Sequence, residues 1–241
     1  MIDVAAGSLV VIAVALVLGS LVQSVVGLGL GLVAAPVVTL VAPELMPGSM
    51  LLLALALPVA TLARDHAEID WAGIGWSLPG RLVGTAVGVW VVSVVSVQQL
   101  GVAVGVVVLL AVVVTARAIV VPLNRRSLSV GGLVSGVAGT TSAIGGPPMA
   151  VLYQHRPARQ IRSTLAVFFL IGTSLSLCGL AVTGHLSAEQ GAVAAVMLPA
   201  LLVGVALAAV VHRRMRATTI RPLVLVVCGA SALVLIVRSL V

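Results

Sequence analysis

Gly139-Thr140-Thr141-Ser142-Ala143-Ile144-Gly145-Gly146-Pro147-Pro148-Met149 interrupts a long apolar run. Proline lacks an N–H and clashes with the preceding helical turn, and glycine adds a backbone-entropy cost, so a continuous helix is not expected here. Within a bilayer, broken backbone persists only where protein or a water-filled cavity surrounds it. The stretch therefore predicts a segment that lines something, and the hydroxyls of Thr140, Thr141 and Ser142 suggest a polar lining.

The surrounding composition supports a membrane setting. Of 241 residues, 61% are hydrophobic and 8% are charged, with a mean hydropathy of +1.30. A soluble domain carries roughly a quarter charged residues, so the composition indicates a polytopic all-α membrane protein. The net charge of +7 comes from arginine without any lysine, and the arginines cluster between apolar runs. That is the pattern of juxtamembrane charge rather than of nucleic-acid binding. Cys178 and Cys228 lie within apolar runs and read as packing residues, without metal-ligand spacing. His66, His155, His185 and His212 sit in loops or at span ends with no partner three or four residues on, so no metal site is expected and no cofactor is implied. No basic region precedes the first apolar run, and no cleavable signal peptide is read there.

About eight apolar segments follow one another, each judged against the roughly 20 residues needed to span a bilayer. The first, Ser8 to Val41, is too long for one crossing and is interrupted at Gly27-Leu28-Gly29-Leu30-Gly31 and at Pro36. Arginine placement tests the topology. Loops after the second, fourth, fifth and seventh runs are basic, whereas those after the first, third and sixth carry no arginine. Eight simple crossings would put the two basic flanks of the fifth run on opposite sides. A re-entrant hairpin there, and another in the first run entering from outside, makes every loop obey the positive-inside rule. Arg238 is the one misfit. The fold expected is an inverted repeat, residues 1–126 and 127–241, each half a broken helical hairpin plus three transmembrane helices, with both termini outside. Matching Gly/Pro breaks in the two halves point to a midplane site between them.

At these residues the chain resembles the TauE/SafE family of membrane transporters, often called sulfite exporters. The likeness rests on Gly27-Leu28-Gly29-Leu30-Gly31 through Pro36, on Gly145-Gly146-Pro147-Pro148, and on the helix starts Gly48-Ser49 and Arg162-Ser163-Thr164-Leu165. Gly80-Arg81-Leu82-Val83-Gly84, followed by Gly88, is similar to the family's third helix. The acid-rich loop from Arg64 to Asp70 and the hydroxyl-rich 140–142 depart from its pattern. The resemblance implies export of a small sulfur-containing or organic anion across the cytoplasmic membrane.

Anion chemistry at a midplane needs N–H donors, hydroxyls or a cation. The candidate binding residues are Gln23, Ser24, Gly27, Gly29 and Gly31 from the first half and Gly139, Thr140, Thr141, Ser142, Gly145 and Gly146 from the second. Pro36, Pro147 and Pro148 are the expected helix breakers. Arg81 and Arg162, at or just inside run ends, are the candidate cations, with snorkelling to the headgroups as the simpler reading of each. Trp71, Trp76 and Tyr153 read as interfacial anchors, and Trp90 as packing. No Asp or Glu falls in the middle of an apolar run, which argues against a carboxylate proton relay.

Three other readings exist. Cation or metal export lacks midplane acids. A serine hydrolase using Ser135 or Ser142 lacks a histidine at similar depth. A non-transporting assembly subunit has no need of the paired breaks. The Gly-rich third run is equally compatible with intramolecular packing and with a homodimer.

Overall fold

A computed structural model describes residues 6–26, 29–64, 66–116, 121–211 and 217–240. Gly27, Asp65, the amino-terminal Asp3 and the basic cluster at 212–216 lie outside the described residues. Ten α-helices form among the described residues, with no strand. They are α1 (Ala6–Val26), α2 (Leu30–Val41), α3 (Gly48–Arg64), α4 (Trp71–Val94) and α5 (Val97–Ala116) in the first half. The second half holds α6 (Arg125–Ser142), α7 (Gly146–Tyr153), α8 (Ala158–Val182), α9 (Ala188–Val211) and α10 (Ala217–Leu240). By length and composition α1, α4, α5, α8 and α9 can each cross a membrane, and α2, α3 and the described part of α10 are shorter apolar helices.

Eight runs become ten helices because the first run of each half splits. The splits fall where glycine was expected to force them, but they are narrower. α6 continues through Ser142, and only Ala143-Ile144-Gly145 leaves the helix. Thr141 and Ser142 donate their hydroxyls to the carbonyls of Val137 and Ala138, one turn back, at 2.9 and 2.6 Å. That back-bonding is compatible with an intact helix. Ala143 then caps α6 in the left-handed region at φ 57°, its N–H reaching the Gly139 carbonyl.

The prolines act differently from expectation. Pro36 lies inside α2 without breaking it, and the interruption sits before Leu30 instead. Pro147 and Pro148 do not end a helix but open α7. First-turn N–H groups have no intrahelical partner, so proline loses nothing there and its fixed φ suits the start.

Both split segments fold back. Gly19 of α1 lies against the backbone of Leu30 at the start of α2, and Gly131 of α6 lies against Met149 and Leu152 of α7. Loops then sort into two ends of the bundle. At one end Asp70 caps α4 by accepting from the Gly73 N–H, and Tyr153 at the end of α7 donates to Asp70 Oδ2 at 3.0 Å. The Asp70 N–H reaches Thr164 Oγ1, and Ser163 Oγ donates to the Ala67 carbonyl. Arg125 stacks on Trp76 at 4.6 Å at this same end. At the other end Gln190 Nε2 donates to the Glu44 carbonyl, and Gly101 lies against Ser239 and Thr39.

Tyr153 is therefore no interfacial anchor. It is fully buried, and its hydroxyl serves the acid-rich loop that had looked anomalous. Trp71 and Trp76 are exposed near one end of the bundle, as anchors would be, but Trp90 is 63% exposed and faces outward rather than packing inside. Cys228 is buried, whereas Cys178 is exposed.

The tightest helix pair is α4 on α6, and its glycines explain it. A methyl group at Gly80 or Gly84 would fall on the carbonyls of Ser129 or Leu133, and one at Gly132 on that of Ser77. Small residues let backbones approach closely, which in lipid substitutes for the missing hydrophobic drive between helices. Gly80, Gly84 and Gly88 of the Gly-rich third run thus serve packing within the chain.

Candidate functional site

The glycine seam sets the position of one side chain. Arg81 lies between Gly80 and Gly84 on α4, facing α6, and is 1% exposed. It does not snorkel. Its Nη1 donates to the Ser135 carbonyl and to Ser135 Oγ, the latter at 3.0 Å. Nη2 lies 3.4 Å from Ser176 Oγ of α8. Phe168 stands 5.7 Å from the guanidinium carbon, within cation–π range. The Nε–H has no hydrogen-bond partner among the described residues.

Three glycines shape the space around this group. A Cβ at Gly139 would sit 2.7 Å from Nη1, one at Gly145 would sit 3.0 Å from it, and one at Gly172 would collide with Nε. Ser135 links the cation to the break: its hydroxyl donates to the Gly145 carbonyl at 2.6 Å while accepting from Arg81. Ser176 donates to the Gly172 carbonyl and shares a 2.8 Å hydrogen bond with Thr140. The guanidinium is held by neutral oxygens, without a carboxylate among these partners.

A cavity of about 70 Å³ opens beside Arg81. Both breaks line it, with Gly29, Leu30 and Gly31 from one and Ala143 to Pro147 from the other. The hairpin tips touch, since a Cβ at Gly31 would lie 2.6 Å from the Ala143 carbonyl oxygen. Leu51, Leu57 and Pro58 of α3 and Phe169 and Thr173 of α8 complete the wall. Arg81 is the one charged side chain among the described lining residues. At roughly 10–15 Å³ per water-sized sphere, the cavity suits a solute of a few heavy atoms.

The sequence candidates divide accordingly. Gln23, Gly29, Gly31, Arg81, Gly139, Gly145, Gly146 and Pro147 converge on the cavity. Thr140, Thr141 and Ser142 are buried behind it and make no part of its wall, their hydroxyls serving Ser176 and the helix's own carbonyls. Ser24 likewise bonds back to the Ser20 carbonyl. Arg162 is exposed at the start of α8, away from the cavity. Pro36 and Pro148 are not among the lining residues.

Helix N-termini contribute less than expected. Gln23 Oε1 already accepts the N–H groups of Gly29 and Leu30, at 3.1 and 3.0 Å. Pro147 and Pro148 remove two donors from the start of α7. The guanidinium is the one charged group among the described lining residues and so the dominant electropositive group. Ser135, Phe168, Gly172, Thr173 and Ser176 were not among the sequence-derived binding candidates. Single small residues inside an apolar helix carry no local signal that separates packing from a cradle.

A family profile described as Sulfite exporter TauE/SafE matches residues 11–235. No curated protein and no solved structure matches the chain.

Proposed function

The chain belongs to the TauE/SafE sulfite exporter family, and from that premise we propose that it exports a small oxyanion, sulfite or an organosulfonate, by alternating access around the Arg81 cavity. The observation that carries this reading is a guanidinium 1% exposed, hydrogen-bonded only to neutral oxygens, beside a cavity lined by both helix breaks. Truncating one member of a buried charge pair costs several kcal/mol, because the other charge stays unpaired. A protein keeps such a cation where a ligand supplies the anion.

In this reading residues 1–126 and 127–241 are inverted repeats. The packing partners support it. α4 lies on α6 as α9 lies on α1, α4 meets α8 as α9 meets α3, and α5 faces α10. The register supports it further. Gly84 faces the Leu133 carbonyl as Gly204 faces that of Val17, and Ser135 sits over Gly145 as Gly19 sits over Leu30, one residue past Gly29. The shift that relates Val17 to Leu133 and Gly19 to Ser135 also relates Gln23 to Gly139 and Gly29 to Gly145, and the separate shift that relates Gly84 to Gly204 relates Pro79 to Pro199. The end that gathers Arg125, Arg126, Arg156, Arg159 and Arg162 is cytoplasmic by the positive-inside rule. Both termini then face outside the cytoplasmic membrane.

Rocking of the two repeats would expose the cavity to each side in turn. An anion leaving an inside-negative compartment gains about 2.3 kcal/mol per charge per 100 mV, so no coupling ion is required. Proteoliposomes loaded with methanesulfonate, an organosulfonate whose single charge is the same across neutral pH, test this. Efflux is expected to accelerate under an imposed inside-negative potential and to ignore a proton gradient. Efflux no faster than from protein-free vesicles, or driven by the proton gradient alone, would sink the proposal.

A further inference from the structure

The cavity sits where two related halves meet, yet its charge is not duplicated. The register that relates Gly84 to Gly204 relates Arg81 to Leu201, which is fully buried and apolar. A symmetric site would present two guanidinium groups, and the described lining residues of this one present one. Around that one, the side chains in contact are Ser135 of α6 and Phe168 and Ser176 of α8, none of which titrates. The other polar wall residues, Gln23 and Thr173, are also neutral at every physiological pH.

Neutral partners also fix where the guanidinium sits. Nη1 donates to the carbonyl and hydroxyl of Ser135 and Nη2 to Ser176. A Cβ at Gly172 would collide with Nε, so the guanidinium itself fills the space that glycine leaves there.

We propose that the cavity selects oxyanions bearing a single negative charge over their dianionic forms, with Arg81 as the one cation on its described wall to neutralise them. The inference rests on the anion-site reading above and adds to it the charge state of the substrate. A monoanion neutralises the one guanidinium. A dianion would bring a second charge to a wall that offers it no partner, which disfavours it by roughly 100-fold. For sulfite, which exists as mono- and dianion around neutral pH, the protonated form is the one carried.

The test uses the unmodified purified protein and reads its thermal unfolding against three probes: methanesulfonate, sulfate and sulfite. Methanesulfonate is expected to stabilise equally from mildly acidic to mildly basic pH. Sulfate is expected to need roughly 100-fold higher concentration for the same shift. Sulfite is expected to lose its effect as pH rises and its proton leaves. Equal stabilisation by sulfate and methanesulfonate overturns the charge selection while leaving the anion site standing. No stabilisation by any of the three overturns the anion site itself, and the charge selection with it.

Discussion

Arg81→Met is expected to abolish anion transport, by about 100-fold or more, without destabilising the protein. The two halves of that expectation have different origins. Transport falls because the cavity loses the one charged side chain among its described lining residues. Stability holds because nothing is orphaned. Ser135 Oγ still donates to the Gly145 carbonyl, Ser176 Oγ still donates to that of Gly172, and Thr140 keeps its bond to Ser176. Methionine fills a similar volume, and because the partners of Arg81 are neutral its removal leaves no opposite charge unpaired, which is what makes such a truncation costly. A structural arginine would behave oppositely, with stability and transport lost together. Flux into proteoliposomes and thermal unfolding of the same preparations separate the two cases.

The second large effect is expected from Gly84→Val. A Cβ at Gly84 would land on the Leu133 carbonyl, with the Gly136 α-carbon at 3.0 Å. Backbone atoms cannot swing aside as a flexible side chain can, so α4 and α6 must separate. Overpacking of this kind costs about 1–3 kcal/mol and more where backbone blocks relaxation. In lipid no hydrophobic drive closes the gap again. Separation also withdraws Ser135 from Arg81, so transport is lost with stability. Gly75→Val on the same helix is the control. Nothing lies within 4 Å of a Cβ there, and a change within about 0.5 kcal/mol is expected. Thermal unfolding in detergent, read for both variants, checks the contrast. Equal effects would remove the seam as the reason Arg81 is held inside.

The contrast between these glycines shows what the sequence could and could not convey. Breaks in apolar runs, loop arginines and run lengths are properties of local composition, and they placed the helices to within a few residues. The split at 143–145 and the hairpin return to Tyr153 followed from the basic flanks of the fifth run, and both flanks do lie at one end of the bundle. Depth and facing are not local. Arg81 is eleven residues into α4, near enough to a run end to suggest snorkelling, and only its packing against α6 and α8 buries it. Gly172 reads as one more small residue until α4 is set beside α8. The hydroxyls of Thr140, Thr141 and Ser142 misled for the same reason. Polarity in a broken apolar run suggests a ligand, but a helix can absorb a hydroxyl on its own carbonyl one turn back. The proline pair at 147 and 148 signalled a break correctly, and in the same stroke removed N–H donors that an anion would have used.

The central claim is that the meeting point of the two helix breaks binds an anion through Arg81. Ligand-dependent thermal unfolding of the wild-type protein and of Arg81→Met, each titrated with methanesulfonate, tests it most directly. Binding to the folded state alone stabilises by about 2.7 kcal/mol at a ligand concentration 100 times the dissociation constant. The account predicts a midpoint that climbs with methanesulfonate in the wild type and stays flat in Arg81→Met. Parallel climbs in the two proteins would place the anion elsewhere and contradict it.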